Sequence, residues 1–204
     1  MNIKNIKAII FASTNEGKFE DIKFASKKLG LRAIRFEDLG IPLPHVEENS
    51  DTLNGNSYRK LKSAIKALEE NDKIIETSLL IAEDSGLFVS ALNGAPGIKS
   101  HRWILDGENP SEKLCHEMAG KQNRFAEYRC FMNGVLLPSR EYFFGEGIER
   151  GFILEGWNGK EGFGYDPAFH PLYAEEGKSV ASCGAHHLHR LNAFWELMLQ
   201  IERF

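Results

Sequence analysis

The sequence predicts an α/β protein with a long mixed β-sheet and a helical flank, and three observations carry that prediction. Ala8-Ile9-Ile10-Phe11-Ala12 and Leu79-Leu80-Ile81-Ala82 are short, wholly apolar runs, as expected of buried strands. Stretches with helical spacing alternate with these runs through the first half of the chain. Residues 124–155 then change character, with recurring aromatic and apolar residues, Gly breaks and no long helical period.

Each element follows in order. After the first strand comes a polar turn, Ser13-Thr14-Asn15-Glu16-Gly17-Lys18, and then a helix through Phe19, Ile22 and Ala25 that ends at Gly30. Leu31 to Phe36 reads as a second strand. Asp38 to Asn54, which holds Pro42 and Pro44, reads as a loop. Asn56 to Glu70 is helical, because Leu61, Ala64, Ile65 and Leu68 share a face. The run at 79–82 is read as a strand that ends at Glu83-Asp84-Ser85-Gly86. Asn93 to Gly97 is a turn cluster, and Asn109-Pro110-Ser111 starts a helix that runs to about Ala119. Arg124 to Val135 and Glu141 to Leu154 are long strands joined around Pro138-Ser139, followed by a Gly-rich loop from Gly156 to Gly164. His186 to Phe204 closes the chain as a helix with Leu191, Phe194, Trp195, Met198 and Ile201 on one face.

Composition narrows the function. With 25 basic and 29 acidic side chains the net charge is −4, which disfavours non-specific nucleic-acid binding but permits a local cationic pocket for phosphates. Cys115, Cys130 and Cys183 are far apart and odd in number, which fits free thiols in a reducing cytosol. Residues 1–7 lack a signal-peptide run and no stretch approaches a membrane span, so a cytoplasmic setting without a membrane partner is expected.

Five features can carry chemistry. The turn at Ser13 to Lys18 precedes a helix N-terminus, where free N–H groups favour phosphate, although an ordinary capped turn explains it equally well. It is not a P-loop. Glu47-Glu48 and the downstream Lys60 suit a metal and a phosphate, or a solvated loop and helix face. Glu83-Asp84 stands where α/β sheets bind ligands, and paired acids there can hold Mg²⁺ and deprotonate water. In Gly162-Phe163-Gly164-Tyr165-Asp166-Pro167 the glycines allow close backbone approach, Phe163 or Tyr165 can stack on a base, and Asp166 can accept from it. His186-His187-Leu188-His189-Arg190 lacks a matching second cluster for zinc. It reads as a helix start with exposed histidines, or as donors to a purine oxygen or phosphate.

Taken in order, these features resemble the inosine/xanthosine triphosphate pyrophosphatase family, from about Ile9 to Phe194. The residues carrying the resemblance are Ser13 to Lys18, Asn56 with Lys60, Asp84-Ser85-Gly86-Leu87, Gly94-Ala95-Pro96-Gly97, Gly162 to Pro167 and His189-Arg190. The resemblance implies a single domain over 1–204 without a separable linker. Its fold would be elongated, with two lobes around a central cleft, and its usual state a homodimer. It implies Mg²⁺-dependent cleavage of ITP, dITP or XTP to the monophosphate and pyrophosphate. In that scheme Ser13, Thr14, Asn15 and Lys18 hold phosphates, and Lys60 adds charge. Glu48, Glu83 and Asp84 bind Mg²⁺, and Asp84 accepts the proton of the attacking water with Ser85 beside it. Phe163 stacks on the base within a loop that includes Gly164 and Tyr165, Asp166 lies nearby, and His189 and Arg190 face the 6-oxo edge.

The chain departs from the family pattern at four places. Glu83 stands where the family has Asp, Gly55 stands where it has Glu, Gly184 replaces a Lys and Leu188 replaces a Ser. Two alternatives follow from these departures: the same reaction on a different modified nucleotide, or nucleotide binding without turnover.

Overall fold

The structure, a computed structural model, describes residues 3–73, 75, 77–158, 164–183 and 186–204. Seven strands form one mixed sheet: β1 (Ala8–Phe11), β2 (Arg32–Arg35), β3 (Ser78–Val89), β4 (Pro96–Gly97), β5 (Phe125–Leu137), β6 (Tyr142–Ile153) and β7 (Phe169–Pro171). Their order is β2-β1-β3-β5-β6-β7, with β4 paired to β3. β1 runs parallel to both β2 and β3, whereas β3–β4 and β6–β7 are antiparallel. Among the described residues five α-helices accompany them: α1 (Glu16–Lys28), α2 (Leu53–Glu70), α3 (Pro110–Glu117), α4 (Val180–Cys183) and α5 (Leu188–Arg203).

The chain divides into two compact units. The first comprises Met1–Asp84, Cys130–Gly147 and His189–Phe204, and the second comprises Ser85–Arg129 and Ile148–Leu188.

The first unit shows why the apolar runs lack alternation. Strand side chains point to opposite faces in turn, and here both faces are covered. Ile9, Phe11, Leu79 and Ile81 pack with Ile22 of α1 and with Phe194 and Leu197 of α5. Ile10, Leu80 and Ala82 pack on the other side with Leu61, Ala64 and Leu68 of α2. A strand buried on both sides reads as a continuous hydrophobic run. α5 lies so close to β6 that a Cβ on Gly145 would overlap the carbonyl of Ala193.

The second unit has its own core, with Leu87, Val89, Leu114, Met118, Tyr128, Ile153 and Phe169 among its members. α3 begins as its Pro-Ser signal predicts, with the Asn109 side chain accepting from the backbone N–H groups of Ser111 and Glu112.

Two expected boundaries differ. α2 starts at Leu53, three residues before Asn56, with Thr52 Oγ1 capping Gly55 N at 3.0 Å. The strand expected to end at residue 82 continues to Val89, so Glu83-Asp84-Ser85-Gly86 lies in mid-strand rather than at a strand end. Two buried acids persist there because cations from other elements meet each of them.

Candidate functional site

Strand alternation separates the two neighbouring acids. Glu83 continues the odd series of Leu79 and Ile81 and shares their face with α1 and α5. Asp84 continues the even series of Leu80 and Ala82 and faces α2. Both carboxylates are buried, and each has its own partners.

Asp84 is held by one turn of α2. Asn56 Nδ2 donates to Oδ2 at 3.0 Å, and Lys60 Nζ donates to Oδ1 at 2.8 Å. The four-residue spacing places both donors on one side of the helix. Lys60 Nζ also lies 2.8 Å from Glu48 Oε1 and 3.3 Å from the Glu83 carbonyl oxygen. The loop carrying Glu48 is tied to the same turn, since Ser50 N donates to Asn56 Oδ1 at 3.0 Å. Burial, the largest influence, raises the Asp84 carboxyl above its ordinary value, and the attraction of Lys60 and the Asn56 hydrogen bond only partly offset it. Burial pushes the Lys60 ammonium down, but Asp84 and Glu83 outweigh it and leave Lys60 raised. A basic carboxylate and a firmly charged ammonium therefore stand together.

Glu83 belongs to a separate ion network. It pairs with Lys18 of α1, accepts from Cys130 Sγ at 3.3 Å, and lies 3.8 Å from Arg190 Nε. Arg190 pairs in turn with Asp21, one turn along α1 from Lys18. Burial alone would raise the Glu83 carboxyl, but Lys18, Arg190 and Lys60 hold it below the usual carboxylate range.

These positions bear on two expectations. Glu83 points to the face opposite Asp84 and is matched by Lys18 and Arg190 rather than standing with Glu48 and Asp84. Among the described residues no set of three or more His, Cys, Asp or Glu side chains could together hold a metal ion. Glu48 and Asp84, on either side of Lys60, are hard oxygen donors of the kind Mg²⁺ takes one or two of. His189 and Arg190, expected at a base edge, are instead buried on α5, with the Arg190 guanidinium spent on Asp21.

The turn after β1 keeps its expected form. Asn15 caps α1 by accepting from Lys18 N at 2.9 Å, and Ser13 Oγ accepts from Asn15 N at 3.2 Å. Thr14 is exposed, and Ser85 on β3 is half-buried. In the second unit Gly164 (φ 63°) accepts from Ser111 Oγ at 3.0 Å. Tyr165 is buried, donates to the Ser100 carbonyl at 2.7 Å and tilts against Trp103. Asp166 is buried beside Tyr128 and His187. Gly162, Phe163 and Gly184 lie outside the described residues.

Sequence reasoning missed Asp21, Cys130 and Tyr128. Asp21 carried a signal, because it sits between Phe19 and Ile22 on the apolar side of α1, where an acid needs a partner. For the other two, nothing in the local sequence separates them from ordinary strand residues.

The chain can be compared with known proteins at this point. The model of the Ham1 family matches residues 9–199. A relative from Desulfotalea psychrophila named dITP/XTP pyrophosphatase is 32% identical over 200 residues, covering 97% of this chain and 84% of the relative. One of the same name from Clostridium perfringens is 38% identical over 172 residues, covering 80% and 81%. The solved Ham1 protein of Staphylococcus aureus matches with a TM-score of 0.74 and 33% identity, covering 97% of this chain and 99% of that one. A HAM1 protein from Coxiella burnetii, at 22% identity and a TM-score of 0.71, shares the fold. On the family match and on these identities over most of its length, the chain belongs to the Ham1 family.

Proposed function

We propose that the chain hydrolyses non-standard purine nucleoside triphosphates (ITP, dITP and XTP) to the monophosphate and pyrophosphate. The names of the relatives support the substrate class. The observation that carries the reaction is Asp84, a buried carboxylate of raised basicity fixed by Lys60 and Asn56.

In this reading Asp84 accepts the proton of the attacking water. Lys60 holds Asp84 ionised until then and offers its charge to phosphoryl oxygens. Lys18 and the N-terminus of α1, with Ser13, Thr14 and Asn15, supply cationic and N–H contacts for the phosphates. Ser85 stands next to Asp84 on the strand. Glu48 and Asp84 would hold Mg²⁺, which when bound neutralises charge on the triphosphate and makes water more acidic. The expected roles of Phe163, Gly164, Tyr165 and Asp166 toward the base, a homodimeric state and a cytoplasmic setting belong to the same proposal.

Pyrophosphate release from ITP, with and without Mg²⁺, tests the reading. Activity should vanish with chelator and return with Mg²⁺. Asp84→Asn should lower kcat by at least about a thousandfold with folding retained, a loss larger than one general base normally accounts for because the same residue also holds the metal. Near-normal turnover in Asp84→Asn would remove Asp84 from the mechanism.

A further inference from the structure

The face that α2 turns toward the sheet is apolar at Leu61, Ala64 and Leu68, but it begins with a polar residue, Ser57, which is fully buried. The Ser57 hydroxyl bridges two strands of the sheet. It donates to the Ala82 carbonyl of β3 at 2.9 Å and accepts from the Asn133 backbone N–H of the neighbouring strand β5 at 3.2 Å. It accepts a second time from Asn133 Nδ2 at 3.1 Å, so its one donor and both acceptor positions are filled. Asn133 is buried as well, and its Nδ2 also donates to Asn54 Oδ1, in the first turn of α2, at 3.1 Å. The chemistry above gives none of these groups a part.

The network meets α2 beside the residues that hold Asp84. Asn56 immediately precedes Ser57 in the helix, and Ala82 stands two residues before Asp84 on the same strand. Apolar contact is non-directional. Leu61, Ala64 and Leu68 therefore hold α2 against Leu80 and Ala82 without fixing its rotation or its place along its axis. Hydrogen bonds weaken steeply with distance and angle, so three that converge on one buried hydroxyl fix both. The two side chains on Asp84 differ in how much they need this. Lys60 reaches Oδ1 on a flexible four-carbon stem that can follow a small shift of the helix. Asn56 is short and fully buried, and its 3.0 Å bond to Oδ2 follows the backbone of α2 directly. A misplacement of about 1 Å at a reacting group costs about a hundredfold in rate.

We propose that Ser57, backed by Asn133, is a positioning residue that fixes the rotation and axial place of α2 and through them the aim of Asn56 at Asp84; this rests on the triphosphate-hydrolysis reading above. A hydroxyl that serves stability alone predicts something different, a less stable protein whose folded molecules turn over normally.

The test measures kcat and KM for ITP in the full chain with Mg²⁺, at a temperature where each variant is folded. Ser57→Ala should lower kcat about tenfold and leave KM within about twofold. Asn133→Ala, which keeps the backbone N–H on Ser57, should lower kcat about threefold. Gly145→Ala, which weakens the same unit away from α2, should leave kcat unchanged. Because Ser57 acts through Asn56, the two losses should not add, and Ser57→Ala/Asn56→Ala should turn over no more slowly than Asn56→Ala. A normal kcat in Ser57→Ala, or additive losses in the double variant, overturns the proposal. If Ser57→Ala does not fold, Asn133→Ala decides by the same comparisons. A second readout is independent of turnover. The Asn56 side-chain amide protons, followed by NMR and identified by their absence in Asn56→Ala, should exchange with solvent faster in Ser57→Ala and Asn133→Ala than in Gly145→Ala. If the wild type releases no pyrophosphate, the reaction assigned above fails, and this exchange alone decides for or against Ser57: a rate no faster than in Gly145→Ala overturns its role.

Discussion

Replacing Lys60 by methionine would keep most of the side-chain volume while removing the charge between Glu48 and Asp84. Nζ lies 2.8 Å from each carboxylate. Removing one partner of a buried pair costs about 3–5 kcal/mol. Two features pull this value toward the lower end: the Glu48 side chain is 37% exposed and can rehydrate, and Asp84 can escape by taking up a proton. A loss of about 3 kcal/mol is therefore expected at neutral pH. The sign of its pH dependence follows from Asp84. Its folded-state value is already raised, and without Lys60 it rises further, so the ionised form weighs against folding. That penalty is full above the folded value and disappears as pH falls through it. Urea unfolding of wild type and Lys60→Met should show a deficit that narrows as pH falls from neutral toward the ordinary carboxyl range. Activity should fall about a hundredfold or more, the scale of losing one preorganised charge donor, and the acid limb of the pH–rate profile should move to higher pH. A variant with a pH-independent deficit and an unmoved acid limb would refute the coupling of Lys60 to Asp84.

Other outcomes test the remaining geometry. Glu83→Gln should cost about 2–4 kcal/mol at pH 7, because Lys18 and the buried Arg190 lose their shared partner. Glu83 has a depressed folded-state value, so its contribution is present above the ordinary carboxyl value of 4.5 and is lost as pH falls from there toward the folded value; the gap between wild type and variant in thermal melts should therefore be smaller at pH 3.5 than at pH 7 without closing. Gly145→Ala should destabilise by about 1–3 kcal/mol or more, since the added methyl meets the Ala193 backbone rather than a movable side chain. Thermal melting reads this loss directly. Thr52→Ala should cost about 1 kcal/mol through the lost cap of α2, measurable by chemical denaturation, and should leave KM for ITP within about twofold if the cap affects stability alone.

The strands of the first unit were legible because Ile9 to Phe11 and Leu79 to Ala82 are apolar on both faces, and only doubly covered strands have that composition. The continuation of β3 through Glu83 and Asp84 was not legible. What makes buried acids tolerable there is Lys18, Lys60 and Arg190, whose approach depends on tertiary packing rather than on local pattern. The first turn of α2 was hidden by Gly55, a weak helix former. Its place is set by the Ser50 side chain, which a Cβ on Gly55 would overlap. Lys60 and Asp84 were each singled out by motif, though not as a pair, and the structure brings them together at 2.8 Å. The expected convergence of Glu83 with Glu48 failed because adjacent residues on a strand cannot share a face. The burial of Arg190 follows from its acidic partner on α1, far away in sequence.

The opposite facing of Glu83 and Asp84 ties the chemistry to strand alignment. A slip of β3 by one residue would exchange the two acids, presenting the longer carboxylate to Lys60 and the shorter one to Lys18. The alignment is enforced remotely, by Leu79 and Ile81 seated among α1 and α5 and by Leu80 and Ala82 seated against α2. Those apolar side chains do not take part in the proposed reaction, yet they decide which carboxylate faces Lys60. In this fold the hydrophobic core works as a keyed lock, and the role proposed for residue 84 depends on parity along the strand as much as on the residue itself.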